Sequence, residues 1–202
     1  MKLLCWFCGS VRTCDFPRRP ATTRISTVLI LTVFLLSQAA AETSAIEKSP
    51  VVEAYWANCV ENIDGLSVDE FYRVQHFGRD AAMADLLVGL ILSGEKTGLF
   101  SSALLTDGDR NATPVTGDYV VLTGFDGTPA AVWRTTSVKT LPFNEVTEED
   151  TQLESPGARP LDVWRQIHWN GWARALEAKG RKPSEDMPIT AERFELICTD
   201  SE

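Results

Sequence analysis

Two β-prone runs joined by a short turn constrain the architecture of this chain more than any other stretch. Asp118–Thr123 and Ala130–Leu141 are both rich in β-branched and apolar residues. Between them, Phe125-Asp126-Gly127-Thr128 carries an Asp-Gly turn signal, so the runs pair as an antiparallel hairpin. An isolated hairpin is marginal in water and has to be completed by further strands or by helices. The remaining sequence supplies both. Val51–Ile63 sets Val52, Tyr55, Trp56, Cys59, Val60 and Ile63 at helical spacing. Asp80–Leu92 places Met83, Leu86, Leu87, Leu90 and Ile91 on one helical side and stops at Ser93-Gly94. Ser67 followed by Glu70 has the spacing of a capping box and predicts a helix over Val68–Val74. Residues 106–117 are a loop rich in Thr, Asp, Gly, Asn and Pro. Thr147–Gln152 starts a short helix and Leu161–Lys179 a longer one, with Trp164, Ile167, His168, Trp172 and Leu176 along one face. Ile189–Cys198 closes the chain as a strand. The expected class is α+β, a small curved sheet or barrel with packed helices.

The N-terminus has a different character. Met1–Arg24 holds five basic residues (Lys2, Arg12, Arg18, Arg19, Arg24) and one acidic residue, Asp15. Ile25–Leu36 is apolar apart from Ser26, Thr27 and Thr32, and Ala39-Ala40-Ala41 precedes Glu42. A basic flank, an apolar core and an A-x-A end form the pattern of a secretory signal peptide. The expected organisation is a signal peptide over 1–41, a linker over 42–50 and a folded domain over 51–198, exported to the periplasm or the extracellular space. Two alternatives stand. Ile25–Ala41, 17 residues long, is at the short edge of the ~17–25 residues that span a bilayer, so it could persist as an uncleaved anchor, the chain's one route to a membrane. A start codon called too early would instead leave a cytoplasmic domain.

Charge narrows the partners. The chain carries a formal net charge of −9, and removal of 1–41 leaves about −13. Such a surface repels phosphodiester backbones, which argues against non-specific binding of long nucleic acid and leaves room for a local pocket. Cys5-x-x-Cys8 lacks a second pair or a nearby His, so no metal site and no cofactor are expected. Cys59 and Cys198 survive cleavage, either as a pair or as buried thiols.

Four separated blocks, in order, add a family. They are Gly94–Leu104 (GEKTGLFSSAL), Gly117–Leu122 (GDYVVL), Trp164–His168 (WRQIH) and Glu192–Ile197 (ERFELI). Together they make Val51–Ile197 resemble the ASCH domain family, which implies a PUA-like β-barrel and a link to RNA or modified nucleosides. Some ASCH proteins resemble amidohydrolases that deacylate N4-acetylcytidine with a Lys, a Thr and a Glu, and another branch is described as cutting RNA. By position the resemblance assigns the Lys to Lys96 and the Glu to Glu154 as catalytic residues, with Gly94, Thr97, Ser101 and His168 as ligand-binding. A Lys partly buried among apolar groups has a lowered pKa and serves as a base. A hydroxyl three residues on would be the nucleophile.

Here that position is Leu99, which has no hydroxyl. Thr97 and Ser101 flank it, displaced by ~6–7 Å along an extended strand, well beyond the tolerance of ~0.5 Å for a catalytic constellation. In the E-G-E-G-D stretch of a close subset, Glu154-Ser155-Pro156-Gly157-Ala158 keeps only the first acid. The expectation is therefore an exported ASCH-like domain binding a nucleotide-like or other small polar ligand in a cleft containing Lys96. Two alternatives are a hydrolase of acylated nucleosides or RNA using Lys96 and Glu154, and a non-catalytic interaction module of the cell envelope.

Overall fold

The expected hairpin forms the middle of a five-stranded sheet. The computed structural model describes residues 48–199; the expected signal peptide over 1–41 and most of the 42–50 linker lie outside the described residues. In chain order the elements are α1 (Pro50–Glu61), β1 (Tyr72–His76), α2 (Ala81–Leu92), β2 (Gly98–Ser102), α3 (Ala103–Thr106), β3 (Tyr119–Thr123), β4 (Pro129–Pro142), α4 (Glu148–Thr151), α5 (Leu161–Ala178) and β5 (Pro188–Thr199). The strand order is β1-β3-β4-β5-β2, a curled half-barrel with helices packed on it. β1 runs parallel to β3, and the other neighbours are antiparallel. The architecture is the α+β class expected.

Period-two alternation explains why the hairpin strands are apolar on both faces over Val120–Leu122 and Ala131–Trp133. Val121 and Val132 face a cluster built on α1, with Val52, Trp56, Cys59 and Tyr72. Their neighbours Val120, Leu122, Ala131 and Trp133 face the other side, with Ile91 and Phe194. Both faces of these two segments are covered, so neither needs polar residues there, whereas β4 beyond Trp133 turns polar and is largely exposed. A third cluster packs Trp164 and Leu176 of α5 on Leu141, Phe143, Met187 and Ile189. Each fully buried Val or Leu contributes roughly 1.5–3 kcal/mol. Cys59 and Cys198 are joined by a disulfide, with Cα atoms 5.8 Å apart, tying α1 to β5. The chain-entropy model gives a closed loop of this size a stabilisation of about 5 kcal/mol at most.

One expected element is wrong. Val68–Val74 is not a helix: after a turn it enters β1 at Tyr72. The Ser67 hydroxyl accepts from Asp69 N at 3.2 Å, a local turn bond two residues on, and not from Glu70 N as a capping box needs. Ser side chains stabilise such turns as readily as helix starts.

The new strand carries Arg73 into a sealed ionic cluster. Arg73 is 2% exposed, and its Nη2 donates to Glu192 Oε1 at 2.7 Å. The same carboxylate oxygen accepts from the Thr135 hydroxyl at 2.6 Å. Arg73 Nε lies 3.4 Å from Asp118 Oδ2, in ion-pair range but without hydrogen-bond geometry. Asp118 is held in turn by both terminal nitrogens of Arg110 and by Val115 N. These contacts link β1, the start of β3, β4 and β5.

Candidate functional site

Lys96 is placed by the way α2 ends. Ser93 closes the helix, and Gly94 takes φ +74°, a left-handed conformation that a glycine adopts without strain. The amide of Lys96 then donates to Leu90 O at 2.9 Å, folding the lysine back under the helix before β2 begins. Its side chain is 5% exposed.

Glu154 arrives from the other direction. The expected short helix is α4, and a capping box at Thr147 and Asp150 starts it. The chain leaves α4 through Leu153, whose carbonyl accepts from both Thr97 N and Gly98 N. Gly98 permits that approach: a Cβ there would meet Glu192 O at 2.5 Å and Leu153 Cβ at 2.8 Å. Arg159 clasps the two segments, donating from Nε to Glu154 O at 3.0 Å and from Nη2 to Glu95 O. The result is a buried ion pair between Lys96 Nζ and Glu154 Oε2.

The third member is His168 on α5. Its Nε2 lies 3.4 Å from Glu154 Oε1. Its Nδ1 is 2.9 Å from Trp164 O; a carbonyl only accepts, so Nδ1 is the donor. The ring stacks on Trp164 with centroids 4.4 Å apart, and Phe100 meets it edge-on. Burial pushes the Glu154 carboxyl up, but His168 beside it and the charge and hydrogen bond of Lys96 outweigh it. They hold the group at about 2, an anion at neutral pH.

These three polar side chains line a cavity of about 690 Å³. Its other walls are apolar. Met83, Leu86, Leu87 and Leu90 come from α2, Leu99 and Phe100 from β2, and Ile167 from α5. Leu86 and Ile167 are 56% and 51% exposed and mark the rim. The segment Ser155–Ala158 completes the lining.

Lys96, Glu154 and His168, all singled out from the sequence, thus come together. The other three expected ligand-binding residues do not join them. Gly94 is an exposed turn residue, and neither Thr97 nor Ser101 is among the lining residues. Thr97 pairs through its backbone, its carbonyl accepting from Phe194 N at 3.1 Å, and because it does not line the cavity its hydroxyl does not stand in for the missing one. Two contributions escaped sequence reading. Arg159 acts through backbone carbonyls, which leave no residue-type signal. The apolar side of α2 reads the same whether it faces a core or a cavity.

The profile of the ASCH domain matches residues 73–198, most of the sheet and the whole of this site. The chain belongs to the ASCH domain family. Crystal structures share the fold of this ASCH domain. An ASCH domain from Lactobacillus crispatus JV V101 superposes with a TM-score of 0.65 at 24% identity, covering 72% of this chain and 93% of that one. A protein from Enterococcus faecalis V583 gives a TM-score of 0.63 at 28% identity, covering 73% and 88%. No curated protein matches the sequence. Among the described residues of the domain, no group of three or more His, Cys, Asp or Glu side chains is arranged to hold a metal ion.

Proposed function

We propose that this ASCH domain binds a small nucleotide-like or other polar ligand in the cleft that contains Lys96. The observation that carries the reading is the Lys96 ammonium, buried at a cavity wall with one protein acceptor for its three N–H groups among the described residues. A ligand carbonyl is a natural second acceptor. Lys96 and His168 are the only basic side chains of the lining, and Glu154 already balances the lysine. The cleft therefore suits the nucleoside part of a nucleotide better than its phosphates. The open volume of about 690 Å³ speaks against a purely structural envelope module.

Hydrolysis ranks second. The Lys–Glu pair the family mechanism calls for is present, but Leu99 lines the cavity where the nucleophilic hydroxyl would stand. The Cys59–Cys198 disulfide favours an oxidising compartment and so supports export of the domain. N-terminal sequencing from the native host tests that point, with a start near Glu42 expected and a retained Met1 counting against it.

The deciding experiment is calorimetric titration of nucleosides, acylated cytidines and short RNAs into the wild type and Lys96→Met. Binding of a small ligand that weakens at least tenfold in the variant supports the proposal. Equal affinities in both proteins sink it. N4-acetylcytidine is expected to be bound with little or no turnover, and Leu99→Thr to raise turnover. Substantial hydrolysis by the wild type, abolished by Lys96→Ala, would put the hydrolase first.

A further inference from the structure

The cavity at Lys96 is polar at one end only, and that asymmetry specifies more than a small ligand. From α2, four aliphatic side chains face the cavity, and Leu99, Phe100 and Ile167 extend the same surface. Two of them, Leu86 and Ile167, are more than half exposed at the rim. Apolar side chains are left on a surface at a cost that scales with their area, and a ligand with apolar surface recovers it. The walls are mainly aliphatic. Of the aromatic lining residues, Phe100 is committed edge-on to Trp164 and Phe77 is stacked on Trp133. Among the lining residues each aromatic ring, Phe77, Phe100 and His168, already packs against a buried aromatic partner, so a stacking platform for a flat base is poorly provided. At the polar end the Lys96–Glu154 pair is charge-balanced and buried. A charged ligand group brought there would be desolvated without a counter-ion of its own, whereas a neutral acceptor answers a spare ammonium N–H.

We infer that the cleft is built for a neutral amphipathic molecule, a carbonyl group meeting Lys96 and an aliphatic chain lying along α2 between Leu86 and Ile167. This inference rests on the proposal that Lys96 contacts the ligand and names the chemical class of the rest of it. The site is a discriminator of chain length and charge. Each methylene that reaches the α2 wall adds a fixed increment of affinity, and the ionised form of the same chain is rejected.

The test uses protein purified from the full chain and unbranched primary amides from acetamide to decanamide, all below their aggregation limits. Decanoate and cytidine serve as comparisons. Binding is followed by calorimetry, with Leu86→Gln and Ile167→Gln as rim variants that leave the buried clusters intact. Affinity is expected to rise about threefold to fourfold per methylene, with a negative heat-capacity change. The rim variants should flatten that rise. Lys96→Met should weaken every amide about tenfold while leaving the chain-length slope intact. An affinity independent of chain length, or decanoate binding tighter than decanamide, overturns the inference. Cytidine binding through Lys96 with no binding of the longer amides would overturn it while the broader proposal stands. A chain-length slope with no effect of Lys96→Met would instead remove the broader proposal and with it the carbonyl contact argued here. Concentration-dependent dimers in light scattering, abolished by Leu86→Gln, would assign the apolar wall to a second copy and also overturn the inference.

Discussion

Two buried ionic clusters, one between strands of the sheet and one between the α2–β2 turn, the segment after α4 and α5, differ in where their unanswered donors lie. Arg73 Nε is enclosed by protein, whereas the spare Lys96 N–H groups border a cavity. At the Arg73 cluster, one guanidinium faces two carboxylates, and those carboxylates also take hydrogen bonds from Thr135, Arg110 and Val115 N. None of Arg73, Thr135 or Glu192 lines the cavity. At the Lys96 cluster, one ammonium meets one carboxylate, His168 stands at 3.4 Å, and the remaining lysine donors border an open cavity. Both remove charge from water at a cost of several kcal/mol per ion. The first recovers it by fixing the positions of four strands. The second stays incomplete, and incompleteness at a cavity wall is what separates a binding group from a structural one.

The sharpest way to break this contrast is Arg73→Met. It leaves Glu192 charged and buried with only Thr135 to answer it, and should lower unfolding stability by about 3–5 kcal/mol in urea titrations. Adding Glu192→Leu should recover much of the loss. A cost below about 1 kcal/mol for the single variant would mean the cluster is not sealed.

Acid probes the other cluster. The Glu154 carboxyl lies at about 2 in the folded protein against an ordinary 4.5, so its stabilising contribution is present above about pH 4.5 and drains as pH falls towards 2. The linkage is on the order of 3 kcal/mol. Urea midpoints measured between pH 6 and 3 should fall more steeply in the wild type than in Glu154→Gln; parallel curves would refute the ion pair.

Smaller effects refine the comparison. Lys96→Met should cost about 2 kcal/mol, less than Arg73→Met, because the cavity lets water reach the abandoned Glu154. Equal costs would erase the distinction drawn between the two clusters. Last in size, Thr135→Val removes one neutral hydroxyl bond to a carboxylate and should cost about 1 kcal/mol. It should also leave ligand binding at Lys96 unchanged, since Thr135 does not line the cavity.

The same contrast explains what the sequence could reveal. The hairpin is legible from its β-prone runs and Asp-Gly turn, and α1, α2 and α5 because their apolar residues keep a helical period. β1 was not legible. Its only buried polar residue, Arg73, looks like a surface charge, and Ser67–Glu70 imitates a helix start. The members of the open cluster were found through motif position. Of the sealed cluster only the carboxylates lie within the family blocks, Asp118 after Gly117 and Glu192 before Arg193, and a carboxylate gives no sign of its partner until the strands are paired. Leu99 shows the reverse case. One residue type was enough to remove the nucleophile, because no rearrangement supplies oxygen to an aliphatic side chain.

The disulfide has a mechanical consequence. Tension applied to the two ends of the folded chain enters at α1 and leaves at the end of β5, and Cys59 and Cys198 join those two points covalently. The load passes through the sulfur bridge, and everything between the cysteines, including both ionic clusters and the cavity, hangs from it as an unloaded loop. Pulling on the oxidised protein can therefore peel away only the residues outside 59–198, whereas the reduced protein would extend by ~3.3–3.6 Å for every residue released.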